Sequence, residues 1–120
     1  MFRLLKRRFA INSYFWRLSQ ALPRRFDRKN YYSVAEVSRT AEDGHFNMAF
    51  IAYAHAMFCR REDFDAHYLP LGVSCSYDSL RETIARRFFD GATGFDAMNI
   101  LIRAETPMTR EYTFSQGSME

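Results

Sequence analysis

Cysteine is scarce in this sequence, with only Cys59 and Cys75 among 120 residues. Two cysteines form at most one intramolecular bridge, which is too few for a disulfide-framed secreted module of this size. We therefore expect a reducing compartment and predict a cytoplasmic protein.

Long apolar runs are also missing. The longest, residues 48–59 with His55 inside it, is too short to cross a bilayer, so we predict no transmembrane segment. The basic run at 6–8 is followed by Asn12 and Ser13, where a signal peptide needs an apolar core. Hydrophobic residues make up 48% and charged residues 26%, which indicates one globular domain over residues 1–120.

The common catalytic and nucleic-acid signatures are absent. The sequence has no glycine-rich phosphate loop, nucleophile elbow or dinucleotide fingerprint. It also lacks a helix-turn-helix, RNP or zinc-finger pattern. We therefore predict no cofactor and favour a non-enzymatic protein, with a small enzyme that uses Cys59 or Cys75 as a third interpretation.

Aromatic residues, in contrast, are abundant: twelve Phe, seven Tyr and one Trp. Each can bury roughly 150–250 Å², so the core should be thick or shared with a partner. The hydrophobic periodicity predicts a mainly α fold, a compact bundle of four to five helices with residues 48–59 as its central helix. Residues 60–76 are predicted to be an irregular connection with a short strand near 69–73, and residues 108–120 a flexible tail.

Three positions have the chemistry of helix starts. Ser33 and Glu36 have the spacing of a capping box, in which each side chain satisfies a backbone N–H of the first turn. Ser79 and Glu82 repeat that spacing, and Asp96 can cap a last helix. These signals predict helices that begin after Ser33, at Tyr77 or Ser79, and after Asp96.

Charge is distributed very unevenly. Residues 1–29 have nine bases and one acid, Asp27, for a net charge of +8, whereas the rest of the chain has a net charge of −5. The bases are Arg3, Lys6, Arg7, Arg8, Arg17, Arg24, Arg25, Arg28 and Lys29. This basic N-terminal segment predicts contact with something anionic, which is either an external ligand or the chain's own acidic body.

The segment from residue 2 to residue 22 has the pattern of a helix, interrupted near Asn12 and Ser13 and stopped by Pro23. One apolar stripe contains Phe2, Leu5, Phe9 and Trp16. The other contains Leu4, Ile11, Phe15, Leu18 and Leu22. Since only one stripe can face the core, the leading hypothesis is a protein-interaction module that uses the first stripe, possibly as a homo-oligomer. The alternative is nucleic-acid or anionic-membrane binding through residues 3–29.

A metal site is a lesser alternative. His55 and Cys59 share one helix face, His67 and Cys75 follow in the next connection, and Zn²⁺ accepts such ligands. Their spacing matches no compact zinc signature, so we predict no metal and interpret His55 as a core histidine with a hydrogen-bond partner.

A short stretch carries a resemblance. Phe46-Asn47, residues 53–58 (Tyr-Ala-His-Ala-Met-Phe) and Asp63-Phe64 together resemble small bacterial proteins of unknown function. The resemblance implies a bacterial source and no particular chemistry, and it assigns no functional residue.

Overall fold

The computed structural model describes residues 2–105, apart from the side chain of Phe2. The predicted tail at 108–120 lies outside the described residues. Those residues form six helices: α1 (residues 2–26), α2 (Val34–Asp43), α3 (Ile51–Phe58), α4 (Arg61–Tyr68), α5 (Tyr77–Phe88) and α6 (Ala97–Ala104). The predicted mainly helical class is confirmed, whereas the predicted number of four to five helices is wrong.

Helix α1 is continuous but changes its winding. It is α-helical over Phe2–Ser13, π-helical over Tyr14–Leu18 and α-helical again over Ser19–Phe26. The Ser19 amide donates to the Tyr14 carbonyl five residues back, and its hydroxyl donates to the Phe15 carbonyl at 2.5 Å. The predicted irregularity therefore lies one residue later than Asn12 and Ser13, and it is a wide turn rather than a break.

Pro23 does not stop α1, contrary to our prediction, since the helix continues to Phe26. Pro23 lies in the last turn of the helix, where its missing N–H removes a single backbone hydrogen bond. Leu22 before it is fully buried, so packing holds that residue in the α region against its local preference.

Helix α4 is the helix that the sequence pattern did not predict. Residues 60–76 were predicted to be irregular, but Arg61–Tyr68 is helical and only the residues after it are irregular, with no strand over 69–76. Phe64 and Tyr68 are buried one turn apart, and Glu62 and Asp63 lie in the first turn, where negative charge favours a helix. Two buried residues among eight are too few for the hydrophobic periodicity of the sequence to reveal this helix.

The predicted caps are largely confirmed. Ser33 and Glu36 form the reciprocal capping box, and Asp96 forms another with Asn99. Helix α5 starts at Tyr77, the earlier of the two predicted starts, and its cap is Ser76, whose side chain accepts the Ser79 amide, so the predicted capping box at Ser79 and Glu82 is wrong.

The core surrounds α3. Its residues from Ala54 to Phe58 are all buried, as the second half of α1 is at Tyr14, Phe15 and Leu18. The Phe15 ring stacks on Phe88 of α5, with centroids 3.8 Å apart. The central helix begins at Ile51 instead of residue 48 because residues 48–50 form a turn.

Candidate functional site

The first half of α1 differs from every other helix segment in its exposure. Burial begins at Ala10 and Ile11, and the described side chains before them are exposed except for half-buried Arg7. Leu4, Leu5 and Phe9 are 57%, 47% and 67% exposed. We call these three residues the outer stripe.

The predicted interaction stripe is therefore divided by the structure. Leu5 and Phe9 are exposed, whereas Trp16 is half-buried and packs edge-on against Phe15 and Phe88. The side chain of Phe2 lies outside the described part of the chain. Leu4, which the periodicity assigned to the core side, belongs with the exposed residues because α1 has few neighbours at this end.

A groove of about 500 Å³ runs between α1 and α5. It is lined by Leu4, Leu5, Arg8, Phe9, Asn12 and Arg87. We call it the arginine groove. Its walls are mostly apolar, and its two charged residues are both cationic.

Cations also lie on the other side of the outer stripe. Arg3 and Lys6 line a second groove, of about 410 Å³, together with Asn47, Ala49 and Phe50. On the helix surface Leu5 and Phe9 thus lie between Lys6 on one side and Arg8 on the other, and Leu4 lies beyond Arg8.

The basic segment of residues 1–29 is split by its ion pairs. Near its end, Arg25 lies 2.9 Å from Asp43 and Lys29 lies 2.9 Å from Glu36. Arg28 pairs with Glu105. These three cations meet the acidic body of the chain itself. Arg17 lies over the Phe46 ring at 5.1 Å, and Arg24 lines a shallow groove with Arg28 and Glu105.

The cations at the start of α1 have no such partners. Among residues 2–105, Arg3, Lys6, Arg7 and Arg8 form no ion pair. The Arg7 Nε atom is inaccessible to solvent and has no hydrogen-bond partner in that range. The pKa of Arg87 is lowered by its burial and then by the positive charges of Arg8 and Arg7. Arg8 and Arg87 therefore line one groove without an ion pair among residues 2–105, and the charge of Arg7 also acts on Arg87.

His55 was the centre of the possible metal set, and it is a structural residue. Its Nε2 lies 2.8 Å from the Ser38 hydroxyl and its Nδ1 lies 2.6 Å from the Tyr68 hydroxyl. The ring is 1% exposed, and burial, followed by the charge of His67, lowers the pKa of His55 to about 4. Both ring nitrogens are occupied, so neither is available to a metal.

The two thiols have an environment unsuited to ligation or nucleophilic attack. Burial raises the pKa of Cys59, which is fully buried, and also raises that of half-buried Cys75. Over the described range, no three His, Cys, Asp or Glu side chains form a group able to bind a metal ion. The four residues of the metal alternative, His55, Cys59, His67 and Cys75, are thus not brought together as a ligand set.

The role of Arg81 has no signal in the sequence. This residue of α5 is 7% exposed, and its guanidinium donates to the carbonyls of Ala56 and Thr93 at 2.9 Å and to that of Phe95. It also lies 3.8 Å from the centroid of the Phe95 ring. Carbonyl acceptors from three places in the chain replace a carboxylate, and they have no sequence signature.

Comparison with known proteins gives one match. A family model described as a family of unknown function (DUF6559) matches residues 1–120. No curated protein and no solved structure matches the chain. Across the described residues, none of the helices is both long enough and apolar enough to span a membrane.

Proposed function

The chain belongs to the family of unknown function DUF6559, and we propose that it binds anionic lipid surfaces reversibly, on the cytoplasmic side of a membrane. The first half of α1 is the binding element. The observation that carries this proposal is the exposure of Leu5 and Phe9 between two sets of cations that have no acidic partner among the described residues.

The outer stripe supplies the apolar contact. An interfacial helix buries its apolar face in the boundary between headgroups and acyl chains. Burying a leucine or phenylalanine side chain fully contributes about 1.5–3 kcal/mol. Leu4, Leu5 and Phe9 are each about half exposed or more, so much of that gain is still available to a ligand.

The cations supply the electrostatic contact. Arg3, Lys6 and Arg8 border the outer stripe, and each base near an anionic leaflet contributes about 1 kcal/mol. Three partly buried apolar side chains and three bases give a total in the range of reversible binding, well short of permanent anchoring.

Two other partners were predicted from the sequence, and charge and shape argue against both. A nucleic acid gains from stacking on aromatic rings, but two of the three outer-stripe residues, Leu4 and Leu5, are aliphatic, and Phe9 alone among them offers such a surface. A second copy that pairs through the same face would bring Arg3, Lys6 and Arg8 against their own equivalents. An anionic lipid surface matches both the leucines and the cations.

The test is sedimentation of the protein with vesicles of phosphatidylcholine, with and without about a third phosphatidylglycerol. We expect binding only to the anionic vesicles, and a steep loss between about 50 and about 500 mM salt. Phe9→Asp should weaken binding about tenfold through lost apolar contact. Lys6→Gln should weaken it about fivefold through lost charge.

Leu71→Asp is the matched control, because Leu71 is 61% exposed and lies between α4 and α5. It should bind like the natural protein. The proposal is wrong if Leu71→Asp and Phe9→Asp weaken binding equally, or if oligonucleotides bind more tightly than vesicles at both salt concentrations. A dimer in solution that Phe9→Asp dissociates, without vesicle binding, would restore the self-association hypothesis.

A further inference from the structure

We propose that the arginine groove between α1 and α5 binds the phosphate of one lipid headgroup, and that it prefers a phosphomonoester such as phosphatidic acid. This inference rests on the proposed function, because it assigns a specific ligand to the same helix. The proposed function needs only a general attraction to an anionic surface. The inference adds that the groove recognises the headgroup of a single lipid molecule.

The first argument is the convergence of cations. Arg8 and Arg87 come from different helices and line the same groove, and Arg7 stands close enough for its charge to act on Arg87. Within the described chain no acid pairs with any of the three. Holding like charges together in this way costs folding free energy, and a bound anion would offset that cost.

The second argument is the geometry of the donors. Arginine forks match phosphate oxygens with two parallel hydrogen bonds. Arg8 and Arg87 both line the groove and form no ion pair within the described chain, so a phosphate bound there would supply acceptors to both guanidinium groups. Arg7 does not line the groove, and its solvent-shielded Nε is not one of these donors.

The third argument concerns the rest of the ligand. The other walls of the groove include Leu4, Leu5 and Phe9, which are apolar, and the volume of about 500 Å³ falls in the usual range for small-ligand sites. Free inorganic phosphate would leave these walls in water. A lipid places its phosphate at the arginines and its first methylene groups on the leucines, so a lipid is the better match.

The preference for a monoester follows from the number of donors. Each guanidinium carries five N–H groups, so the two that line the groove offer more donors than the two free oxygens of a phosphodiester can accept. A phosphomonoester has three free oxygens and a charge between −1.5 and −2 near neutral pH. It therefore makes more charge-assisted hydrogen bonds in the same place.

The experiment compares vesicles that contain phosphatidic acid with vesicles that contain phosphatidylglycerol, adjusted to equal surface potential. The natural protein should bind the phosphatidic acid vesicles about tenfold more tightly. Arg87→Gln should reduce that ratio to about one and leave phosphatidylglycerol binding near the control level. Arg86→Gln is the matched control, since Arg86 is the exposed neighbour on α5 and does not line the groove. It should keep the ratio.

The inference is overturned if the natural protein shows no preference at equal surface potential, or if Arg86→Gln and Arg87→Gln change the ratio equally. In the first of these outcomes the proposed function survives, because general binding to anionic vesicles does not need the groove.

A second measurement works without a membrane. Short-chain phosphatidic acid, kept below its micelle concentration, should shift the NMR signals of the Arg8 and Arg87 Nε–H groups, and inorganic phosphate should shift them far less. These shifts in a protein that binds no vesicles would retain the site and reject the proposed function. Equal shifts with inorganic phosphate would reject the lipid as the ligand.

Discussion

Helix α5 carries two arginines in opposite situations. Arg81 is buried and donates to three backbone carbonyls, while Arg87, six residues later, lines a groove with Arg8 and has no acid partner among residues 2–105. The comparison shows that backbone carbonyls can satisfy the hydrogen bonds of a buried guanidinium without a carboxylate, as they do for Arg81. At the groove, the lack of acceptors leaves the arginines available to a ligand.

The largest expected effect is the loss of stability on replacing Arg81, the buried arginine of α5. Arg81→Met should lower the free energy of unfolding by about 4 kcal/mol, because the carbonyls of Ala56, Thr93 and Phe95 lose their donor together. Urea unfolding measures this. Arg86→Met on the exposed side of α5 is the control and should change stability by less than about 0.5 kcal/mol. A loss below about 1 kcal/mol for Arg81→Met would mean that water can replace the guanidinium.

The second effect is a loss of stability in acid, and it comes from His55, a buried side chain whose two ring nitrogens are both hydrogen-bonded. His55 has a pKa of about 4 when folded against about 6.5 when unfolded, so the unfolded chain binds more protons between these values. The free energy of unfolding is therefore unaffected by His55 above about pH 6.5, and it falls by roughly 3 kcal/mol as the pH drops towards 4 and the unfolded chain takes up the proton.

Urea unfolding at several pH values checks the prediction for His55, and an NMR titration of the ring gives its pKa directly. In His55→Gln the dependence between about pH 6.5 and about pH 4 should largely disappear, whereas exposed His45→Gln should retain it. A ring pKa near 6.5 in the folded protein would contradict the prediction.

A smaller effect comes from the partner of that histidine. Tyr68→Phe should cost about 1.5 kcal/mol, because it leaves the buried Nδ1 of His55 without a hydrogen bond while it preserves the ring packing on Phe64. Tyr53→Phe on α3 is the control, a half-buried tyrosine that should change stability by less than about 0.5 kcal/mol. Equal losses for both variants would show that the hydrogen bond to His55 contributes nothing specific.

The smallest effect has the opposite sign and belongs to the groove. Arg87→Gln should raise the free energy of unfolding by about 0.5 kcal/mol at low salt, since it removes repulsion with Arg8 and Arg7. The gain should vanish at about 1 M salt, where charges are screened. Thermal unfolding at both salt concentrations measures it. Destabilisation at low salt would show that Arg87 has a structural role like that of Arg81.

The features predicted from the sequence are those that depend on nearby residues. The capping box at Ser33 and the cap at Asp96 could be predicted because each depends on residues within one helical turn. Helix α4 was missed because only Phe64 and Tyr68 of its residues are buried, so it has almost no periodicity. Capping residues show in the sequence where a helix starts, but a short helix with a mostly polar sequence has too little hydrophobic periodicity to be predicted.

The candidate site could be predicted only in part. The charge of the basic segment was visible, but its division was not, since Arg25 and Lys29 are paired by Asp43 and Glu36 through the tertiary fold. The arginine groove likewise depends on Arg87, which lies far along the sequence from Arg8. Contacts between distant segments decide which charges remain free, and a single sequence does not specify them.

The π-helical turn at Tyr14–Leu18 makes the direction of the outer stripe a matter of residue count. One extra residue in this turn changes the angular phase of α1 by about 100° between its two halves. Deleting one residue there would keep Phe15 and Leu18 of the core in place only by rotating Leu5 and Phe9 around the helix axis. The sector of solvent that these two side chains face is therefore fixed by a single inserted residue, independently of what residues they are.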